Sequence, residues 1–301
     1  MKRRLAAVVL ASGLLAGSYS IGFVPTDKMQ VKQMRVNGVD LAYVEEGRGE
    51  TVVFVHGAFG DWRNWERVRP AIAERYRFVA LSLRYHYPNA WADNGENYSV
   101  AQHLEDVAQF IRQLNVGKVH IVGSSFGGRL VGYVALKYPE LLRSVVMGDP
   151  SIIAPASAEG KAALVEMGKD TAKSVEAAKA GDDKQAAILL YNAVMNDPDA
   201  FRKAPLAIQQ RMLDNARTLP PYFARPTNLP TTCEQLGSLK VPALVVSGEK
   251  TRAHYRYGNE ALLGCLPKNT ATAVIPGSPH TWYQANPDAG ARAILAFVAQ
   301  H

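Results

Sequence analysis

The run Gly123-Ser124-Ser125-Phe126-Gly127 places a hydroxyl between two glycines, after the apolar stretch Val119–Val122 and before a helix-like stretch from Arg129 to Tyr138. A serine at a sharp strand-to-helix turn stands above the edge of a sheet, and the flanking glycines remove side chains that would block helix and strand. Ser125 is the candidate nucleophile. The pattern is short enough to arise by chance, so its weight comes from the strand before it, the helix after it, and three further segments that suit the same site.

A serine hydroxyl needs a base. The segment Val274–Trp282 reads as a short strand ending in a loop that presents His280 ahead of a C-terminal helix from about Asn286. Neutral imidazole is suited to take the hydroxyl proton and return it to a leaving group. The other histidines have plainer accounts: His120 falls inside a strand, His103 on a helix, His86 in a Tyr-flanked loop, His254 in a basic loop, and His301 is the last residue. Acyl transfer also builds negative charge on a carbonyl oxygen, which preorganised N–H groups stabilise. The strand from Thr51 runs into the Gly-rich loop His56-Gly57-Ala58-Phe59-Gly60, and the amides of Ala58 and Phe126 are the candidate donors. His56 is read as a brace for that loop.

Short apolar runs alternating with helical segments predict an α/β fold with a mostly parallel, eight-stranded sheet and helices on both faces. Strands are expected near 31–37, 40–46, 51–56, 77–82, 118–123, 143–149, 241–248 and 271–276, with helices near 62–75, 100–115, 126–138 and 286–299. The candidate residues then fall at the carboxyl ends of strands, where such sheets bind ligands.

A strand followed by HGxxG, a strand-GxSxG-helix unit and a late loop histidine, in that order, resemble the α/β-hydrolase superfamily over residues 35 to 300, with a variable insert. The resemblance implies the α/β-hydrolase fold, a serine hydrolase chemistry without a cofactor, and an acid in a G-x-x-D loop after the seventh strand. The matching stretch here is Gly248-Glu249-Lys250-Thr251, with threonine at the expected aspartate position. Two acids stay open. Asp149 ends the sixth strand, where some members of the superfamily carry their acid; Glu249, the alternative, is two residues early. Asp149 followed by Pro150 also reads as a simple turn. The family uses an aspartate nucleophile for haloalkane and epoxide chemistry, so Ser125 argues against both.

Between 151 and 239 the texture changes to Ala-rich helical stretches, Ala162–Ala180 and Lys184–Asn196, and then a passage holding Pro220, Pro221, Pro226 and Pro230. This reads as a helical cap inserted after the sixth strand, dividing the chain into a leader (1–18), a first core segment (19–150), the cap (151–239) and a second core segment (240–301). A cap in that place shields the site from water and supplies much of its pocket. Aromatic residues crowd the expected mouth: Phe59, Trp62, Trp65, Tyr85, Tyr87, Trp91, Phe126 and Trp282. Phe59 and Trp282 are the candidate substrate contacts, and the set favours an apolar or aromatic small-molecule substrate. Arg63, Arg84 and Arg129 offer charge for a substrate carboxylate but are read first as solvated or paired within the structure.

Lys2-Arg3-Arg4 precedes an apolar run from Leu5 to Ala16, with small residues at Ala16 and Ser18, the pattern of a cleaved export signal. The run is short for a membrane span. A periplasmic or secreted protein is expected, without stable membrane insertion once the signal is removed; an uncleaved N-terminal anchor is the alternative. Loss of residues 1–18 removes three basic groups and no acid, lowering the formal charge from +7 to +4. No basic helix or aromatic-basic ladder remains, so nucleic-acid binding is unsupported. Cys233 and Cys265, the only cysteines, have no metal-ligand spacing, and an oxidising compartment permits them to pair. Three readings follow: an ester or lactone hydrolase; carbon–carbon bond hydrolysis or perhydrolysis at the same serine; and, from another class, a non-catalytic ligand-binding relative.

Overall fold

A computed structural model describes residues 29–301 apart from position 92; the leader expected at 1–18 lies outside the described residues. Eight strands form one sheet: β1 (Lys32–Val36), β2 (Val39–Glu46), β3 (Thr51–Val55), β4 (Arg77–Leu81), β5 (Val119–Ser124), β6 (Leu142–Gly148), β7 (Ala243–Gly248) and β8 (Ala271–Ile275). Their spatial order is β1-β2-β4-β3-β5-β6-β7-β8. β1 and β2 pair antiparallel, β2 pairs antiparallel with β4, and the other neighbours are parallel. Every expected strand is present within two residues of its expected limits.

The central strands are apolar without interruption because both of their faces are covered. Alternation assigns each side chain to one of two cores. Val53 and Val55 of β3, with Ile121 of β5, pack against the helices Val100–Leu114 and Phe126–Lys137. Val52 and Phe54, with Val122, pack on the opposite face against Trp62, Trp65, Ile72 and the C-terminal helix Pro287–Val298. The site therefore rests on a sheet locked from both sides.

The segment expected as one helix over 62–75 is two short pieces, a 3-10 turn Trp62–Trp65 and a helix Arg69–Ala73. Pro70 at the start of the second piece suits a helix beginning there. Between β6 and β7 the chain forms the helices Ala158–Lys179, Asp183–Met195 and Leu206–Asp214, with shorter ones that include Leu219–Phe223. The helix Ala253–Cys265, after β7, was not expected and carries three residues of the site. Cys233 and Cys265 form a disulfide joining its last residue to the short helix Cys233–Gly237.

Candidate active site

Ser125 ends the turn between β5 and the helix Phe126–Lys137 with φ 58° and ψ −121°. A non-glycine residue in that region stores about 1–3 kcal/mol of strain, held only because the surroundings determine it. The surroundings are visible here. The Ser125 N–H donates to the Gly148 carbonyl at 2.7 Å, tying the turn to β6, and its own carbonyl receives Arg129 N–H at 3.0 Å. At Gly127 a Cβ would stand 2.3 Å from the carbonyl oxygens of Val55 and His56, so the helix can approach the end of β3 only with glycine there.

His280 sits in the loop after β8. The turn that carries it lies against the end of β7, where a Cβ on Gly248 would fall 2.2 Å from the Pro279 carbonyl. Its Nδ1 is 3.0 Å from Asp149 Oδ2. Asp149 is fully buried, with φ 40° at the end of β6. Thr251 Oγ1 donates to the same Oδ2 at 2.8 Å, and Asn259 Nδ2 donates to Oδ1 at 2.7 Å. An ionised carboxylate only accepts, so the proton between the pair is on Nδ1, and Nε2 is left as the basic nitrogen. Thr251, which stands where the family's aspartate is expected, thus holds the aspartate on the neighbouring strand.

Glu249 does not reach the imidazole; its Oε2 accepts from the Gly277 N–H at 2.7 Å, bracing the turn after β8. Between the two acids left open by the sequence, the hydrogen bond to His280 belongs to Asp149.

Ser125 and His280 line one cavity of about 500 Å3. Among the described residues they share no hydrogen bond. The Tyr255 ring stacks on the imidazole at 3.8 Å and 7°, and its hydroxyl lies beside Ser125. Burial pushes the Tyr255 phenol well above its usual range, with Tyr222 and Asp149 adding to the rise, while the Ser125 hydroxyl and Arg129 act the other way. The phenol therefore remains neutral and keeps its proton.

The loop after β3 lies across from Ser125. Neither the Ala58 nor the Phe126 N–H has a backbone acceptor among the described residues. His56 Nε2 accepts from the Leu83 N–H at 2.9 Å, so Nδ1 is the donor to the Gly57 carbonyl at 2.7 Å. In a trans peptide that carbonyl and the Ala58 N–H point oppositely; His56 thereby fixes the direction of the candidate oxyanion donor. His86 Nδ1 bonds to the Gly60 carbonyl at 2.8 Å in the same loop. Burial pushes His56 down to about 3, consistent with a neutral brace.

Of the two candidate substrate contacts, Phe59 lines the cavity and Trp282 does not. It is fully buried beside Trp65 and Tyr283 and packs on Gly148 and Gly290, because the residue after the His280 loop faces the core that holds Trp65 and the C-terminal helix rather than the pocket. Trp62, Trp65 and Tyr85 are likewise core residues. The aromatic wall is built instead from Tyr191, Tyr222, Phe223, Tyr255 and Tyr283. His254, expected in a loop, is buried on the helix Ala253–Cys265 and lines the same cavity. Periodicity in the helix Asp183–Met195 could have marked Leu190 and Tyr191 as one buried face, but not which cavity that face meets. Among the described residues no group of three or more metal-ligating side chains converges, and no helix is long and apolar enough to cross a membrane.

A model described as the alpha/beta hydrolase fold matches residues 50–171. The chain is 26% identical over 282 residues to the 2-(acetamidomethylene)succinate hydrolase of Mesorhizobium japonicum, covering 91% of this chain and 97% of that protein. It shares its fold with a serine hydrolase involved in carbazole degradation, at TM-score 0.71 and 24% identity over 91% of this chain and 100% of the other. A thermophilic esterase from Thermogutta terrifontis superposes at TM-score 0.70 and 21% identity, covering 90% and 98%.

Proposed function

We propose, from the membership of this chain in the α/β-hydrolase superfamily, that this hydrolase opens a carboxylic ester or lactone of a small molecule through an acyl-enzyme on Ser125. The observation that carries the reading is one cavity lined by both Ser125 and His280, with the imidazole hydrogen-bonded to buried Asp149.

As substrate enters, the Ser125 hydroxyl leaves the Tyr255 phenol and turns to His280; such contacts are often long before substrate binds. Oγ attacks the carbonyl carbon while His280 Nε2 takes its proton. Asp149 stabilises the imidazolium through Nδ1–H, and the N–H groups of Ala58 and Phe126 hold the oxyanion. Collapse expels the alkoxide, which His280 protonates. Water then gives its proton to Nε2, attacks the acyl carbon and releases the acid, restoring Ser125. These steps need no cofactor.

A second reading, hydrolysis of a carbon–carbon bond by the same residues, is favoured by 31% identity over 128 residues to a 2-hydroxy-6-oxo-6-(2'-aminophenyl)hexa-2,4-dienoic acid hydrolase, whose named substrate carries its acyl group on carbon. For place, the Cys233–Cys265 disulfide supports an oxidising compartment and hence export. Ser125→Ala tests the main reading: turnover of p-nitrophenyl esters should vanish with this change, and undiminished turnover in the variant overturns it.

A further inference from the structure

Arginines around the cap are held by partners, with one exception. Arg63 pairs with Asp61 and Asp214, Arg84 with Asp106, and Arg252 with Asp170. Arg129 donates to the carbonyls of Pro150 and Thr227. Arg211, on the helix Leu206–Asp214, is only 7% exposed and lines the cavity, yet its Nε has no partner. Its guanidinium has one weak contact, from Nη1 to the Arg63 carbonyl at 3.4 Å, and no ion pair among the described residues. Glu66 makes no ion pair with Arg211; burial raises its carboxyl, and the Arg211 charge acts the other way.

A buried charge without a counter-ion is costly, and the cavity offers it none: no Asp, Glu or Lys lines the wall. The phenols Tyr191 and Tyr283 line the same cavity. Burial raises both Tyr191 and Tyr283, and Arg211 pulls each back; Tyr283 already accepts from Asn64 Nδ2, leaving its own proton to donate. A planar guanidinium fork, with phenol donors lining the same cavity, matches a carboxylate. Leu190, Val194 and Met212 form apolar wall elsewhere in the same cavity.

We infer that Arg211 is a substrate-carboxylate site, so that the molecule cleaved carries a free carboxylate at a distance from the scissile carbonyl, across an apolar spacer. This rests on the hydrolase reading above and deepens it to a substrate class: half-esters of dicarboxylic acids and esters of comparable charge.

The test compares mono-p-nitrophenyl esters of adipic, pimelic and suberic acid with p-nitrophenyl hexanoate, heptanoate and octanoate. The wild-type protein should prefer at least one acid-terminated ester, and Arg211→Met should lower the acid-to-neutral ratio of kcat/KM by about tenfold or more, chiefly through KM. Arg211→Lys should restore part of the ratio. A wild-type ratio at or below one, or a ratio unmoved by Arg211→Met, overturns the assignment. Should Arg211→Met fail to fold, inhibition of neutral-ester turnover in the wild type decides. Suberate competing where its diamide does not supports the site; equal effects of the two, or inorganic phosphate competing better than any diacid, refute it. The neutral esters report the hydrolase chemistry separately through Ser125→Ala. If no ester is turned over at all, a rise in unfolding temperature with suberate but not with its diamide still reads the Arg211 site.

Discussion

At Asp149 a single carboxylate meets three donors: His280 Nδ1–H, the Thr251 hydroxyl and the Asn259 amide. Thr251→Val removes one of them from a fully buried charge, at a cost of about 1.5–3 kcal/mol for a hydrogen bond to an ionised group. Turnover should fall roughly tenfold to a hundredfold with little change in KM, and Thr251→Ser should recover most of it; a Thr251→Val enzyme with unchanged kcat would remove Thr251 from any role in orienting the acid. Trp282 belongs to another class of residue. Trp282→Ala should lower stability by about 3–5 kcal/mol, as large-to-small changes in a packed core do, without altering selectivity among esters; a selectivity change at intact stability would return it to the pocket. Ser125 and Asp149 were legible as candidates because each follows directly on an apolar strand at a turn, and His280 because the Pro276-Gly277-Ser278-Pro279 loop after β8 presents it. Arg211 and Tyr255 were not, since nothing in the residue types says which face of a polar helix turns inward.

The central strands were legible as elements because burial on both faces leaves them uninterrupted in apolar residues, and the edge strands β1 and β8 because their side chains alternate between covered and exposed faces. The helix Ala253–Cys265 escaped for physical reasons: its N-terminus at Arg252 lacks a side-chain cap, and Gly258 and Gly264 dilute its periodicity. The junction between β7 and the His280 loop is the tightest joint between elements at the site. Gly248→Ala puts a Cβ within 2.3 Å of the carbonyls of both Ser278 and Pro279. That backbone clash should destabilise the fold by at least about 2 kcal/mol and displace His280. Circular dichroism melts and ester turnover measured together should both fall, and wild-type values for each would show that the loop does not depend on that contact.

The whole molecule should be sensitive to mild acid. Burial, the main cause, pushes His56 and His103 each down to about 3, so the fold favours their neutral forms. Stability from these groups is complete above the unfolded value near 6.5 and is lost as pH falls from there toward 3. With about 1.4 kcal/mol per pH unit for each, the pair should cost on the order of 4 kcal/mol at pH 5 relative to pH 7. Urea midpoints should therefore begin to drop just below pH 6.5, and a midpoint constant down to pH 5 would contradict the buried neutral cluster. The disulfide spans 32 residues; closing a loop of that size is worth about 3–4 kcal/mol in the chain-entropy account. Reduction should lower the unfolding midpoint accordingly, and an unchanged midpoint would show the bond to be dispensable.

The central claim is that Ser125, served by His280 and Asp149, is the nucleophile. Its most direct measurement is mass spectrometry of the protein treated with an activated phosphonate, followed by peptide mapping. One adduct per chain on Ser125 is expected, slowed by about a hundredfold or more in Asp149→Asn and hardly at all in Glu249→Gln. A label on any other residue, or a rate that depends on Glu249 and not on Asp149, would contradict it.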